Sequence, residues 1–312
     1  MTVKPKRAIL IAGPTASGKS EVAIEVAQAL DGVIINADSM QVFEELTITV
    51  AKPPPEAQKS VQHVLYSVAS MKGHFSVADW LKLAKKEAEK TWAAAKIPIF
   101  TGGTGLYFKT LLHGLAEIPE IPKNIRESVI KGKFLSSGAD FYEDLLIKDP
   151  ETSRKLKPGD RQRIQRALEV YEATGVPLSV WQQKQPKPPF PNVNFLKTIL
   201  TKEKEGLDKE IRKRFQRMIK EGAVEEAEAI LRLKLKDGLS GTKAIGLVQL
   251  GEYLRNEITL EEAIEKAVIK TRQYAKRQRT WFRNQFPDWH QVEAGTEAAK
   301  TILSLAEKEF RG

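Results

Sequence analysis

Short apolar runs and helix-period stretches alternate through the first third of the chain. Residues 8–12, 32–36 and 97–101 are apolar runs of strand length, and residues 63–68 form a weaker fourth. Between them, residues 20–30 and 77–95 carry the periodicity of helices with one buried face. Such alternation predicts a parallel sheet covered by helices, with ligands at the carboxyl ends of its strands. Pro53-Pro54-Pro55 reads as a loop that breaks the pattern.

From about Pro119 the strand signal stops. Residues 123–135, 141–148 and 160–174 read as helices, and Gly175-Val176-Pro177 ends the last of them. The proline-rich link Gln185-Pro186-Lys187-Pro188-Pro189-Phe190-Pro191 then leads to another apolar strand at 195–200. Helical stretches follow at 207–220, 224–235, 245–255 and 260–286. The pattern predicts an α/β core made of residues 1–119 and 191–312, interrupted by a helical insertion at 120–190.

A chain of 312 residues, 41% of them hydrophobic, is large enough to bury a full core. It contains no Cys, which excludes disulfides and thiolate zinc sites. The opening Met1-Thr2-Val3-Lys4-Pro5-Lys6-Arg7 is too short for a signal peptide, and no apolar run approaches the length of a bilayer span. A cytoplasmic protein with no membrane attachment is therefore expected. The net charge of +10 suits a polyanionic partner such as nucleic acid, and equally suits plain solubility.

Gly13-Pro14-Thr15-Ala16-Ser17-Gly18-Lys19-Ser20 has the form G-x-x-x-x-G-K-S, with a strand before it and a helix after it. That context predicts a phosphate-binding loop whose backbone N–H groups and helix start receive anionic oxygens. Lys19 adds a positive charge, and the Ser20 hydroxyl suits magnesium. The loop alone leaves open which phosphate ester is bound.

Asp38 follows the second strand and is expected at the same edge of the sheet. Its carboxylate there could reach magnesium through water or act as a general base, or it could cap a short helix beginning at Ser39. Thr101-Gly102-Gly103-Thr104-Gly105 ends the third strand, with a helix expected at 106–112. Its glycines allow close backbone approach, and Thr104 offers a hydroxyl at that edge. Arg161, Arg163 and Arg166 lie on one predicted helix, Arg163 and Arg166 sharing a face with Gln162 adjacent. They could grip RNA, or form a solvated charged face. Residues 270–283 are denser: Arg272, Lys276, Arg279 and Arg283 make a basic stripe interleaved with Tyr274, Trp281 and Phe282. Basic groups for phosphates and aromatics for stacking suit RNA, while the aromatics could equally face the core. Arg214 is indistinguishable from its basic neighbours, and the four scattered His lack metal-ligand spacing.

Taken in order, these segments resemble the tRNA dimethylallyltransferase (tRNA isopentenyltransferase) family of bacterial type. The resemblance rests on GPTASGKS (13–20), DSMQV (38–42), AKP (51–53), GGTGLY (102–107), DRQRIQRALEVY (160–171) with TGVP (174–177), and TRQYAKRQRTWFR (271–283). It implies a P-loop NTPase-like α/β fold with a helical insertion domain. It also implies transfer of a dimethylallyl group from dimethylallyl diphosphate to N6 of the adenosine 3′ of the anticodon, with magnesium (Mg2+) as cofactor. By the same resemblance Asp38 is the general base, Thr104 a catalytic hydroxyl, and Arg214 a stabiliser of the diphosphate held by residues 13–20. Asp38, Ser39, Met40, Gln41, Thr104, Arg126, Gln162, Arg163 and Arg166 match positions that meet the tRNA anticodon stem-loop, and the basic helix adds Lys276 and Arg279. A monomer is expected. The chain departs from the family pattern at Phe43, at Thr47-Ile48-Thr49-Val50, at Gln62-His63-Val64-Leu65 and at Gly246-Leu247-Val248. A small nucleotide or metabolite kinase would use the same loop for ATP, and an RNA-binding protein could keep it as a relic. Neither accounts for all the segments together.

Overall fold

The computed structural model describes residues 5–135, 138–184, 186–236 and 238–311. The core begins with β1 (Lys6–Ala12), α1 (Lys19–Ala29), β2 (Gly32–Asn36), α2 (Pro55–Ser60), β3 (His63–Val64), α3 (Val77–Ala93), β4 (Ile97–Gly102) and α4 (Gly105–His113). The insertion contributes α5 (Lys123–Leu135), α6 (Gly138–Lys148), α7 (Pro150–Lys155), α8 (Arg161–Thr174) and α9 (Leu178–Gln183). The core resumes with β5 (Val193–Thr201), α10 (Lys204–Lys220), α11 (Ala223–Arg232), α12 (Leu247–Leu254), α13 (Leu260–Gln285), β6 (His290–Glu293) and α14 (Ala298–Phe310).

The six strands form one sheet in the order β3-β2-β4-β1-β5-β6, and every pairing is parallel. Successive residues of a strand point to opposite faces, so β1 serves two cores at once. Ala8, Leu10 and Ala12 join Ile35, Phe100, Trp80, Phe108 and Phe282 on one side. Ile9 and Ile11 join Ile34, Ile99, Leu196 and residues of α1 and α14, among them Val26 and Ile302, on the other. Both faces being covered explains why the strands read as unbroken apolar runs.

Several elements differ from the sequence expectation for local reasons. The fourth strand ends at Val64 because Leu65 and Ser67 adopt left-handed φ values of 65° and 52°, which a strand cannot continue through. The Pro53-Pro54-Pro55 loop runs directly into α2, with Pro54 as its N-cap and Pro55 in the first turn, where a missing N–H costs nothing. The edge strand β6 buries only Val292 of its four residues, so it has no apolar run to betray it.

Residues His113–Pro188 form a separate compact unit with its own core of Leu145, Ile164, Ala167, Leu168 and Val170. It opens ahead of the boundary expected near Pro119. Asp149 is fully buried and ties this unit together: its carboxylate accepts from Thr152 N and Oγ1 and from Ser179 N and Oγ, joining α7 to α9.

In the core, the end of β4 admits no side chain. A Cβ on Gly102 would lie 2.1 Å from the carbonyl oxygen of Ala37. That peptide is held by Ala37 N donating to Thr101 O (2.7 Å) and by Thr104 N donating to Ala37 O (3.1 Å). Gly102→Ala is expected to cost about 3 kcal/mol of stability, at the upper end for an overpacked site. An unchanged urea midpoint would show that this contact yields freely.

Candidate active site

The phosphate loop leaves β1 at Gly13 and turns through two left-handed residues, Ala16 (φ 63°) and Gly18 (φ 86°). Gly18 is the N-cap of α1 and supplies no side-chain acceptor, so the first-turn N–H groups of that helix stay available to an anion. Lys19 opens α1 and its Nζ donates to Pro14 O at 3.3 Å. Burial lowers the Lys19 pKa to about 8, against the opposing pull of Asp38 and with help from the Arg214 charge. Arg214, on α10, donates from Nη2 to Thr15 Oγ1 at 2.7 Å. Burial also lowers its pKa, and Asp38 again opposes. Arg214 is thereby set apart from Arg212, which pairs with Glu265 on α13. A loop, two desolvated cations and one carboxylate share one electrostatic neighbourhood.

Asp38 is positioned by Asn36, the buried last residue of β2. The Asn36 amide donates to Asp38 O (3.1 Å) and Leu65 O (3.0 Å), and its Oδ1 accepts from Asp38 N (2.9 Å). Asp38 Oδ1 accepts from Met40 N at 2.9 Å. No helix starts at Ser39, so the helix-cap alternative falls and the local motif is an Asx turn. Oδ2 accepts no hydrogen bond among the described residues and is free for chemistry. Thr104 Oγ1 accepts from Ser39 N at 2.9 Å and donates to Ser39 Oγ at 3.2 Å. The Asp38 and Thr104 loops are thus joined directly. Gln41 spends its Nε2 within the protein, on Val50 O and Ala51 O, both at 2.9 Å. Met40 is half-buried against the core.

The basic helix α13 divides into two faces. Thr271, Ala275, Gln278 and Phe282 are buried, whereas Lys276, Arg277, Arg279 and Arg283 are exposed. Arg272 leaves the expected stripe, since it pairs with Asp208 of α10 at 3.4 Å. Phe282 belongs to the core, while Tyr274 and Trp281 are half-buried. Burial raises the Tyr274 pKa, and the Asp38 charge raises it further. Tyr274, Arg277 and Trp281 line a cavity of about 170 Å³ with Gly103, Thr104 and Gly105.

Gln278 was not singled out by sequence reasoning, although it lies within the matched segment. Its Oε1 accepts from Thr15 N at 2.9 Å and its Nε2 donates to Gly103 O at 2.8 Å. The available signal was a polar residue on the apolar stripe of α13.

Within the insertion, Arg126 of α5 and Arg166 of α8 are close enough for their charges to interact. Burial lowers the Arg166 pKa, opposed by Glu169 at 3.7 Å. Gln162 and Arg163 are exposed, with Arg163 3.5 Å from Asp160, the N-cap of α8.

No group of three or more His, Cys, Asp or Glu able to hold a metal occurs among the described residues. The loop itself offers one hard oxygen donor, the Ser20 hydroxyl in the first turn of α1. That sparse set fits magnesium, which keeps several waters and takes further oxygens from a bound phosphate. No helix among the described residues is long and apolar enough to cross a membrane.

The fold and site define a phosphate-loop α/β protein whose strand ends gather cations, a carboxylate and a hydroxyl around one loop. The family model for IPP transferase matches residues 41–285, and the chain belongs to this family. It is 45% identical over 282 residues to the tRNA dimethylallyltransferase of Azorhizobium caulinodans, covering 90% of each chain. It is 43% identical over 290 residues to that of Pelagibacter ubique, covering 93% of this chain and 92% of the relative. The crystal structure of the tRNA isopentenylpyrophosphate transferase from Bacillus halodurans superposes with a TM-score of 0.70 at 29% identity, over 99% of both chains. A eukaryotic dimethylallyltransferase acting on tRNA shares the fold, with a TM-score of 0.81 at 24% identity.

Proposed function

We propose that this chain transfers the dimethylallyl group of dimethylallyl diphosphate to N6 of the adenosine 3′ of the anticodon in tRNA, releasing diphosphate. The observation that carries the reading is a carboxylate with a free oxygen, Asp38, beside two desolvated cations around a phosphate loop. In this reading the loop, Gly13 to Ser20, holds the diphosphate through its uncommitted N–H groups and the start of α1. Lys19 and Arg214 face the charge that grows on the leaving oxygen as the allylic C–O bond breaks. The Ser20 hydroxyl would hold magnesium, which would neutralise further diphosphate charge when bound. Asp38 Oδ2 takes the proton from the N6 amine as its lone pair forms the new C–N bond. The Thr104 hydroxyl lies in the same network and is set to contact the nucleophile or the bridging oxygen.

The adenosine must leave its base stack to reach this edge, as for other enzymes that modify a base. Lys276 and Arg279, exposed on α13, supply phosphate contacts, and Arg126, Gln162, Arg163 and Arg166 of the insertion supply others. A cytoplasmic, monomeric enzyme completes the proposal. Incubation with dimethylallyl diphosphate and an anticodon stem-loop should yield a prenylated adenosine by nucleoside mass spectrometry. Transfer of label from ATP instead, with none from the prenyl donor, would establish a kinase. Lys276→Ala and Arg279→Ala should each reduce the slope of log K against log salt by about 0.7 to 0.9. An unaltered slope would remove these side chains from the RNA contact.

A further inference from the structure

The inward stripe of α13 is apolar or small at Ala263, Ala267, Ala275 and Phe282, yet position 278 carries an amide that is only 5% exposed. A buried amide is costly unless both its ends are paired. Here both are, and the two partners belong to different catalytic loops. Oε1 receives the N–H of Thr15 in the phosphate loop, and Nε2 donates to the carbonyl of Gly103 in the loop that carries Thr104. Gly103 is itself shaped for this contact, since a Cβ there would stand 2.2 Å from Gln278 Nε2. The Thr15 N–H is therefore committed to Gln278, and the Thr15 hydroxyl is the acceptor for Arg214. Tyr274, one turn earlier, lines the same small cavity as Thr104 and Gln278.

From this geometry we infer that Gln278 is a positioning residue for the transfer: it sets the spacing between the diphosphate loop and the loop that holds Thr104. The inference rests on the function proposed above. Gln278 touches no reacting atom; it acts through Thr15, and so through Arg214, on one side and through Gly103 on the other. Losing either bond lets the two loops drift by a fraction of a bond length or more, and transfer between two held substrates is sensitive to that.

The test compares wild type, Gln278→Met and Gln278→Glu, each checked for folding by thermal unfolding. Methionine fills the space without either hydrogen bond. It should lower kcat about a hundredfold and leave stem-loop affinity within about twofold, because the exposed cations of α13 are untouched. It should also weaken binding of inorganic pyrophosphate, measured by calorimetry with no reaction required. Glutamate keeps the acceptor for Thr15 N but, when ionised, loses the donor to Gly103 O. Protonation restores that donor, and burial raises the carboxyl pKa toward the assay range. The ratio of Gln278→Glu to wild-type kcat should therefore climb as the pH falls from about 9 to 6, a trend that a packing defect alone would not give. Should Gln278→Met not fold, this ratio decides. A flat ratio, or a Gln278→Met enzyme with wild-type kcat and pyrophosphate affinity, overturns the inference. A wild-type protein that binds pyrophosphate but transfers no prenyl group sinks the proposed function instead.

Discussion

Asp38→Asn is expected to lower turnover about a thousandfold while stem-loop affinity changes little, the magnitude usual for loss of a positioned general base. Asparagine keeps an oxygen to accept from Met40 N, so the Asx turn and the link between Ser39 and Thr104 should survive. What it lacks, on the proposed reaction, is a site for the N6 proton. The loss should therefore fall on kcat with KM nearly unchanged, since the proton moves only on the way to the transition state. Asp38→Ala should lose at least as much and also disturb the turn. Steady-state kinetics with both substrates varied would check this. A variant with weakened RNA binding and intact kcat would assign Asp38 to recognition.

The second large effect concerns the cations at the loop. Arg214→Ala is expected to cut kcat by a factor of about 100 to 1,000, as for removal of one donor to developing negative charge. Lys19 gives a pH signature to the same site. Its pKa, lowered by burial to about 8, makes it cationic below that pH and neutral above it. The protonated form is the one that attracts diphosphate, so donor affinity should be level below about pH 8 and fall by up to tenfold per unit above it. Bound diphosphate in turn raises the Lys19 pKa, and binding above pH 8 should take up a proton. Calorimetry in buffers of different ionisation enthalpy measures that uptake. An affinity that stays level through pH 9.5, about 1.5 units above the Lys19 pKa, would mean that the anion does not face Lys19.

Much of this arrangement was legible in the chain. The buried strands announced themselves because both faces of the sheet are covered, and the phosphate loop because its strand and helix flank it. What stayed hidden depends on contacts between distant segments. Nothing local marks Arg214 among Arg212, Lys213 and Arg217; only the packing of α10 brings it to Thr15. Arg272 looked like part of a basic stripe until Asp208 claimed it. Asp38 could have been a helix cap until the backbone beyond it proved non-helical. Gln278 could be noticed only as an amide on an apolar face, and its two partners lie 263 and 175 residues away in sequence.

The chain contains two glycine-rich turns after parallel strands, and sequence alone invites the same interpretation for both. Their voids are filled differently. At the second turn, the space above Gly102 belongs to the Ala37 backbone, that above Gly103 to Gln278, and that above Gly105 to the Trp281 ring. Its glycines thus serve as sockets for three other segments of the same polypeptide, and a screen that scores glycine content for anion capture would miscount it. The first turn leaves the amides at its helix start for a guest; the second is a joint that the protein closes on itself.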